Sequence, residues 1–70
     1  MKRTSVSSSM MASIGYDSKT KMLEIEFNSG AIWQYLDFPK SEFNKMIKAD
    51  SLGRYFNDCI KDCYDETRVR

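Results

Sequence analysis

Residues 22–36 alternate apolar and polar side chains around a short turn, and this pattern limits the possible folds more than any other stretch of the chain. Leu23, Ile25 and Phe27 fall on one side of a strand and Glu24 and Glu26 on the other, because successive side chains of an extended chain point to opposite faces. Asn28-Ser29-Gly30 suits a three-residue hairpin loop with Gly30 in the left-handed position. Residues 31–36 return as a second strand rich in β-formers, with Trp33 and Tyr35 on the same side. If the loop is Asn28-Ser29-Gly30, Phe27 faces Ala31, Ile25 faces Trp33 and Leu23 faces Tyr35. Glu24, Glu26, Ile32, Gln34 and Leu36 then point the other way. A two-residue loop would set Ile25 against Gln34, and burying Gln34 without a partner costs about 1–3 kcal/mol. That slip would also turn Trp33 and Tyr35 away from the apolar strand. The first register is therefore favoured. It makes the aromatic pair a core anchor, while the alternative is a platform on which bases or a peptide stack. Two carboxylates on the opposite face would repel a phosphate backbone, which argues against an open base-stacking sheet.

The rest of the chain frames this hairpin. Residues 1–8 are polar and serine-rich, and a loose arm is expected there, able to extend the first strand. Residues 10–16 alternate, with Met10, Ala12, Ile14 and Tyr16 on one side and Met11, Ser13 and Gly15 on the other. Asp17-Ser18-Lys19-Thr20 has turn chemistry. Pro39 ends the sheet and fits a helix start. A first helix is expected over 40–49, with Phe43, Met46 and Ile47 as its apolar stripe. Ser51 is a good N-cap for a second helix, on which Leu52, Tyr55, Phe56, Cys59, Ile60, Cys63 and Tyr64 recur at spacings of three and four. Gly53 near its start costs helix propensity and points to close packing between the helices. Residues 65–70 show no apolar periodicity, so a frayed tail is expected. The order β-β-β-α-α implies an α+β domain over residues 9–64: a three-stranded antiparallel meander with two helices packed on one face.

Composition excludes several classes. A chain of 70 residues is a single domain, small enough to bury only ~60% of the surface its unfolded chain exposes. A net charge of +1 is low for a dedicated nucleic-acid binder. No apolar run reaches the roughly 20 residues of a membrane span. The basic opening Lys2-Arg3 is followed by no long apolar stretch, so no signal peptide is expected. Two cysteines and no histidine leave no metal site and no histidine to activate a nucleophile. A cytoplasmic location and no cofactor are expected.

Several further residues complete a pattern. Ser29-Gly30-Ala31-Ile32-Trp33-Gln34-Tyr35 followed by Pro39, the upstream Ser8-Ser9 and Tyr16-Asp17, and Ala49-Asp50-Ser51-Leu52-Gly53-Arg54-Tyr55-Phe56-Asn57 with Ile60-Lys61 together resemble the KTSC domain. That family is named for its occurrence at the C-terminus of some lysyl-tRNA synthetases, and it also occurs as small stand-alone proteins of bacteria and their phages. The resemblance runs from about Val6 to Tyr64. It rests on Leu23, Ile25, Phe27, Gly30, Trp33, Tyr35, Pro39, Ser51, Gly53, Tyr55 and Phe56. Trp33 stands where the family usually has tyrosine, so a hydroxyl is missing there. The synthetase context implies RNA binding by association.

The candidate sites follow. Lys45, Lys48, Arg54, Asn57 and Lys61 make a modest anion or RNA surface on the helices, or an ordinary charged helix surface. Met11, Ile32 and Leu36 on the outer sheet face make a surface for a second copy or a host protein, or scattered exposed apolar residues. Cys59 and Cys63, four apart, read as small buried apolar residues, with redox chemistry as the alternative. Glu24 and Glu26 read as a solvated strand face. No enzyme is expected. The chain reads as a small binding module, for RNA or for protein.

Overall fold

The computed structural model describes residues 3–70. The first two residues of the expected arm, Lys2 among them, lie outside that range. The elements are β1 (Thr4–Ser5), β2 (Met11–Asp17), β3 (Met22–Phe27), β4 (Ile32–Tyr35), α1 (Lys40–Ile47), α2 (Leu52–Tyr55) running directly into a π-helical turn (Phe56–Ile60), and β5 (Glu66–Arg68). The fold is α+β, with an antiparallel sheet of five strands, not three, in the order β1-β2-β3-β4-β5.

The hairpin has the register its alternation dictates. Leu23 pairs with Tyr35, Glu24 with Gln34 and Ile25 with Trp33. Gly30 turns the chain at φ +96°, a conformation open to glycine without strain. Leu23 and Ile25 are fully buried and Tyr35 is 2% exposed. Trp33 packs against the same cluster but stays half-buried. The aromatic pair faces the core, and Tyr35 is its deeper member. Met46, Phe56 and Ile60 press down from the helices. The ring of Phe56 meets those of Phe27 and Tyr35 edge-on at 5.5 and 5.8 Å between centroids, a favoured aromatic geometry.

Strand β2 departs from simple alternation. A bulge between Met11 and Ser13 leaves Ala12 as the extra residue, so that Met11 pairs with Phe27 and Ile14 with Ile25. An extra residue inverts the facing of what precedes it. Met11 therefore joins Ile14 in the core, 1% exposed, and is not on the outer face.

The first and last elements among the described residues are strands. Thr4 pairs with Ile14, and Glu66, Thr67 and Arg68 pair with Tyr35, Gln34 and Trp33. The tail expected to fray is held because β4 has a free edge that residues 66–68 complete. Its backbone continues along Ile32, whose N–H donates to the Arg70 carbonyl while its own carbonyl accepts from Val69. Ile32 is 6% exposed in consequence, although it lies on the outer face.

That outer face is not simply wet. Arg3 binds Glu24 at 2.9 Å and Arg70 reaches Glu26 at 3.5 Å. The Gln34 amide donates to Glu24 and the Ser13 hydroxyl to Glu26. Each glutamate is thus paired with an arginine from one end of the chain. The facing of Glu24 and Glu26 follows from the alternation; the long-range arginine partners do not.

Tyr35→Ala is expected to cost about 3–5 kcal/mol, as an aromatic core deletion does, and Trp33→Ala measurably less, because Trp33 is half-buried. Urea unfolding of the two variants checks the order. Truncation after Asp65 removes β5 and the Glu26 partner together; a loss of at least about 2 kcal/mol is expected from the lost ladder bonds and the re-exposed Ile32, read from the shift in unfolding midpoint.

Candidate functional site

Pro39 opens α1 without a side-chain cap, and the helix lays Met46, fully buried, onto the sheet. Lys40, Lys45 and Lys48 are left outside. Lys45 reaches Glu42 at 3.5 Å, and Lys48 closes the helix as its C-cap. Ser51 then caps α2 by accepting from the Arg54 N–H at 3.2 Å. That bond accounts for Ser51, and α2 is only four residues long. Gly53 lies against Met10, but a β-carbon there would meet the Met10 side chain at 3.7 Å, an ordinary contact. Close packing therefore does not demand glycine at this position.

The second helix changes character at Phe56. The Lys61 N–H bonds to the Phe56 carbonyl at 2.8 Å, an i to i+5 link that defines a π-turn. The wider turn lets Phe56 and Ile60 both point inward, 8% and 0% exposed, and swings Cys59 out. The helix ends at Lys61, whose φ and ψ are −57° and 126°, so Cys63 lies beyond it. Cys59 and Cys63 are free and exposed, not the buried pair that a continuous α-helical stripe predicts. Among the described residues no group of three or more His, Cys, Asp or Glu side chains is arranged to hold a metal.

Of the five candidate RNA contacts, all are exposed. Arg54 lines a shallow hollow with Asp50, Asp58 and Cys59, so acids flank it. The side chains of Lys48, Asn57 and Lys61 have no hydrogen bond or ion pair among the described residues. The outer-face candidates fare differently. Met11 and Ile32 are buried within the chain, and Leu36 is half-buried. They do not form an exposed apolar surface. The sheet edges are short, two residues in β1 and three in β5, which limits edge-to-edge pairing.

A polar lock between the helices escapes a reading by periodicity. The Tyr55 hydroxyl donates to Glu42 Oε2 at 2.6 Å and lies 3.2 Å from the Glu42 carbonyl. That bond holds the Glu42 carboxyl below the usual carboxylate range, helped by Lys45. Burial, and then the Glu42 bond, push the Tyr55 hydroxyl up. Burial, followed by the Glu42 charge, raises Tyr64 in the same cluster. On the other flank the Tyr16 hydroxyl donates to the Phe38 carbonyl, and the Tyr16 ring stacks on Phe43 at 4.9 Å. Fully buried Phe38 packs on Tyr64 at 4.8 Å. The tyrosines bind α1, α2 and the sheet into one body.

The five-stranded sheet under two short helices, the second capped by Ser51, with the Ser-Gly hairpin and the Ser51–Asn57 segment in place, defines a class of small α+β module. The family model described as the KTSC domain matches residues 7–64, and the chain belongs to that family. An uncharacterized protein of Stutzerimonas stutzeri is 44% identical over 61 residues, 87% of this chain and 86% of that protein. A lysine–tRNA ligase of Nostoc punctiforme is 38% identical over 53 residues, which are 76% of this chain and 9% of the ligase. The crystal structure of a KTSC domain protein from Yersinia pestis superposes with a TM-score of 0.96 at 38% identity, covering 99% of this chain and 97% of that one. No helix among the described residues is long and apolar enough to cross a membrane.

The lock has a pH signature. Glu42 is held low in the folded state, so its stabilisation is present above the ordinary glutamate range near pH 4.3 and is lost as pH falls through the folded value. Tyr55→Phe is expected to lower the melting temperature at neutral pH, and the gap to the parent protein should narrow on acidification toward pH 3. Thermal melts of both proteins across that interval measure it.

Proposed function

We propose that this chain is a non-catalytic binding module that contacts RNA through the outward surface of its two helices, in a bacterial or phage-related cytoplasm. The observation that carries this reading is the set Lys48, Asn57 and Lys61. They are exposed on the helical layer with side chains unpartnered among the described residues, and so free for phosphate or base edges. Arg54 and Lys45 extend the surface. The similarity of 76% of this chain to part of a lysine–tRNA ligase supports the choice of RNA over other anions. The core-facing aromatics take no part, since Tyr35 is 2% exposed.

Few cations mean modest affinity and a shallow salt dependence. Titration of fluorescein-labelled transfer RNA at low salt is expected to show saturable binding. Replacing Lys48 and Arg54 together with glutamate should weaken it at least about tenfold and lower the salt slope by roughly one for each cation removed. Absence of binding, or binding unchanged in the double variant, rejects the reading.

A further inference from the structure

Beside the edge strands of the sheet, helix α1 and the sheet do not close on each other. A hollow of about 580 Å³ is floored by Ile14 and walled by Val6 on one side and Phe43 and Ile47 on the other. It continues past Val6, Ile14 and Ile47 into a second of about 440 Å³. Volumes of this size are typical of ligand sites. Ile47 is 52% exposed, one of two large apolar side chains so exposed among the described residues, and it stands on the wall shared by both hollows. The charges are arranged with equal economy. Lys40 is the one charged side chain lining the first hollow and Asp50 the one lining the second. Neither makes an ion pair among the described residues.

We propose that this groove binds an extended peptide segment of a partner protein, with its C-terminal end toward Lys40 and its N-terminal end toward Asp50. Three observations select that occupant. First, α1 has eight residues and is about 12 Å long, the length of about four extended residues. Second, Val6, Ile14, Phe43 and Ile47 supply apolar contacts and Ser7, Ser8, Ser9 and Ser51 supply hydroxyls along the second hollow, a mixture that suits the alternating side chains and the polar backbone of an extended chain. Third, a cation at one end and an acid at the other complement the polarity of a peptide, whose carboxyl end is negative and amino end positive. β1 is only two residues long, so the groove walls carry the recognition and a backbone ladder does not. The groove adjoins the helical surface at residues 47–51, where Asp50 also lines the hollow beside Arg54.

The test is selection from a display library of heptapeptides with free C-termini, followed by fluorescence titration of the enriched peptides. Apolar residues at alternate positions are expected to be enriched. Ile47→Asp, at an exposed position, should weaken their binding about tenfold or more. Lys40→Glu and C-terminal amidation of the peptide should each weaken it several-fold, and the two effects should not add. Unchanged thermal melts confirm that the variants are folded, and a neutral Ile47→Ser variant, which adds no acid beside Lys48, should weaken the peptide and leave the RNA titration unchanged, which keeps this result distinct from the helical surface. Failure to enrich any peptide overturns the proposal, as does equal binding to Ile47→Asp. Self-association of the parent protein in light scattering that Ile47→Asp abolishes would also overturn it, since the occupant would then be a second copy.

Discussion

The pairing of Ile25 with Trp33 and Leu23 with Tyr35 is the constraint on which the rest of the molecule depends. A strand has a side-chain period of two, so this register decides both faces of the sheet at once. On one face it assembles the apolar floor that receives Met46, Phe56 and Ile60. On the other it sets Gln34 against Glu24, and the amide donates to the carboxylate. A shift by one residue would set Gln34 on the apolar face of Leu23 and Ile25 and turn Trp33 and Tyr35 toward the glutamates. A domain of 70 residues has little stability to lose, so a register specified from both sides matters more than it would in a larger protein.

What could be read along the chain follows from how local each signal is. The hairpin register and Gly30 depend on residues within a few positions, and the structure has them where alternation puts them. Alternation puts Met11 on the wrong face because one inserted residue, Ala12, inverts it, and a bulge leaves no trace in a pattern of apolar letters. The outer strands were undercounted because residues 4–5 and 66–68 are polar. They are strands through backbone pairing to a neighbour already in place, which composition does not record. Phe38 was missed for a similar reason. It stands alone before Pro39 with no periodic companion, yet it is fully buried against Tyr64.

The helical surface was legible in outline, since charged residues opposite an apolar stripe face out wherever the helix is regular. The regularity stops at Phe56. Beyond it the π-turn shifts the angular spacing and the helix stops at Lys61, so Cys59 in the turn and Cys63 past its end are both exposed although their spacing of four assigns them to the stripe. The Tyr55–Glu42 lock needed knowledge of how α1 and α2 cross, and the groove beside Ile47 needed the distance between a helix and a strand edge. Both are relations between elements, where single-chain periodicity is silent.

The strands occupy the sheet in the same order as they occur along the chain. The first and last therefore lie on opposite margins, four inter-strand spacings or about 19 Å apart. A protein joined ahead of Thr4 and another joined after Arg68 would leave from opposite flanks, and a pull between them would be borne across every rung of the ladder. Through Arg3 and Arg70 the same two margins also hold the glutamates of the central strand. The two margins are thus tied, through Glu24 and Glu26, to the strand at the middle of the sheet.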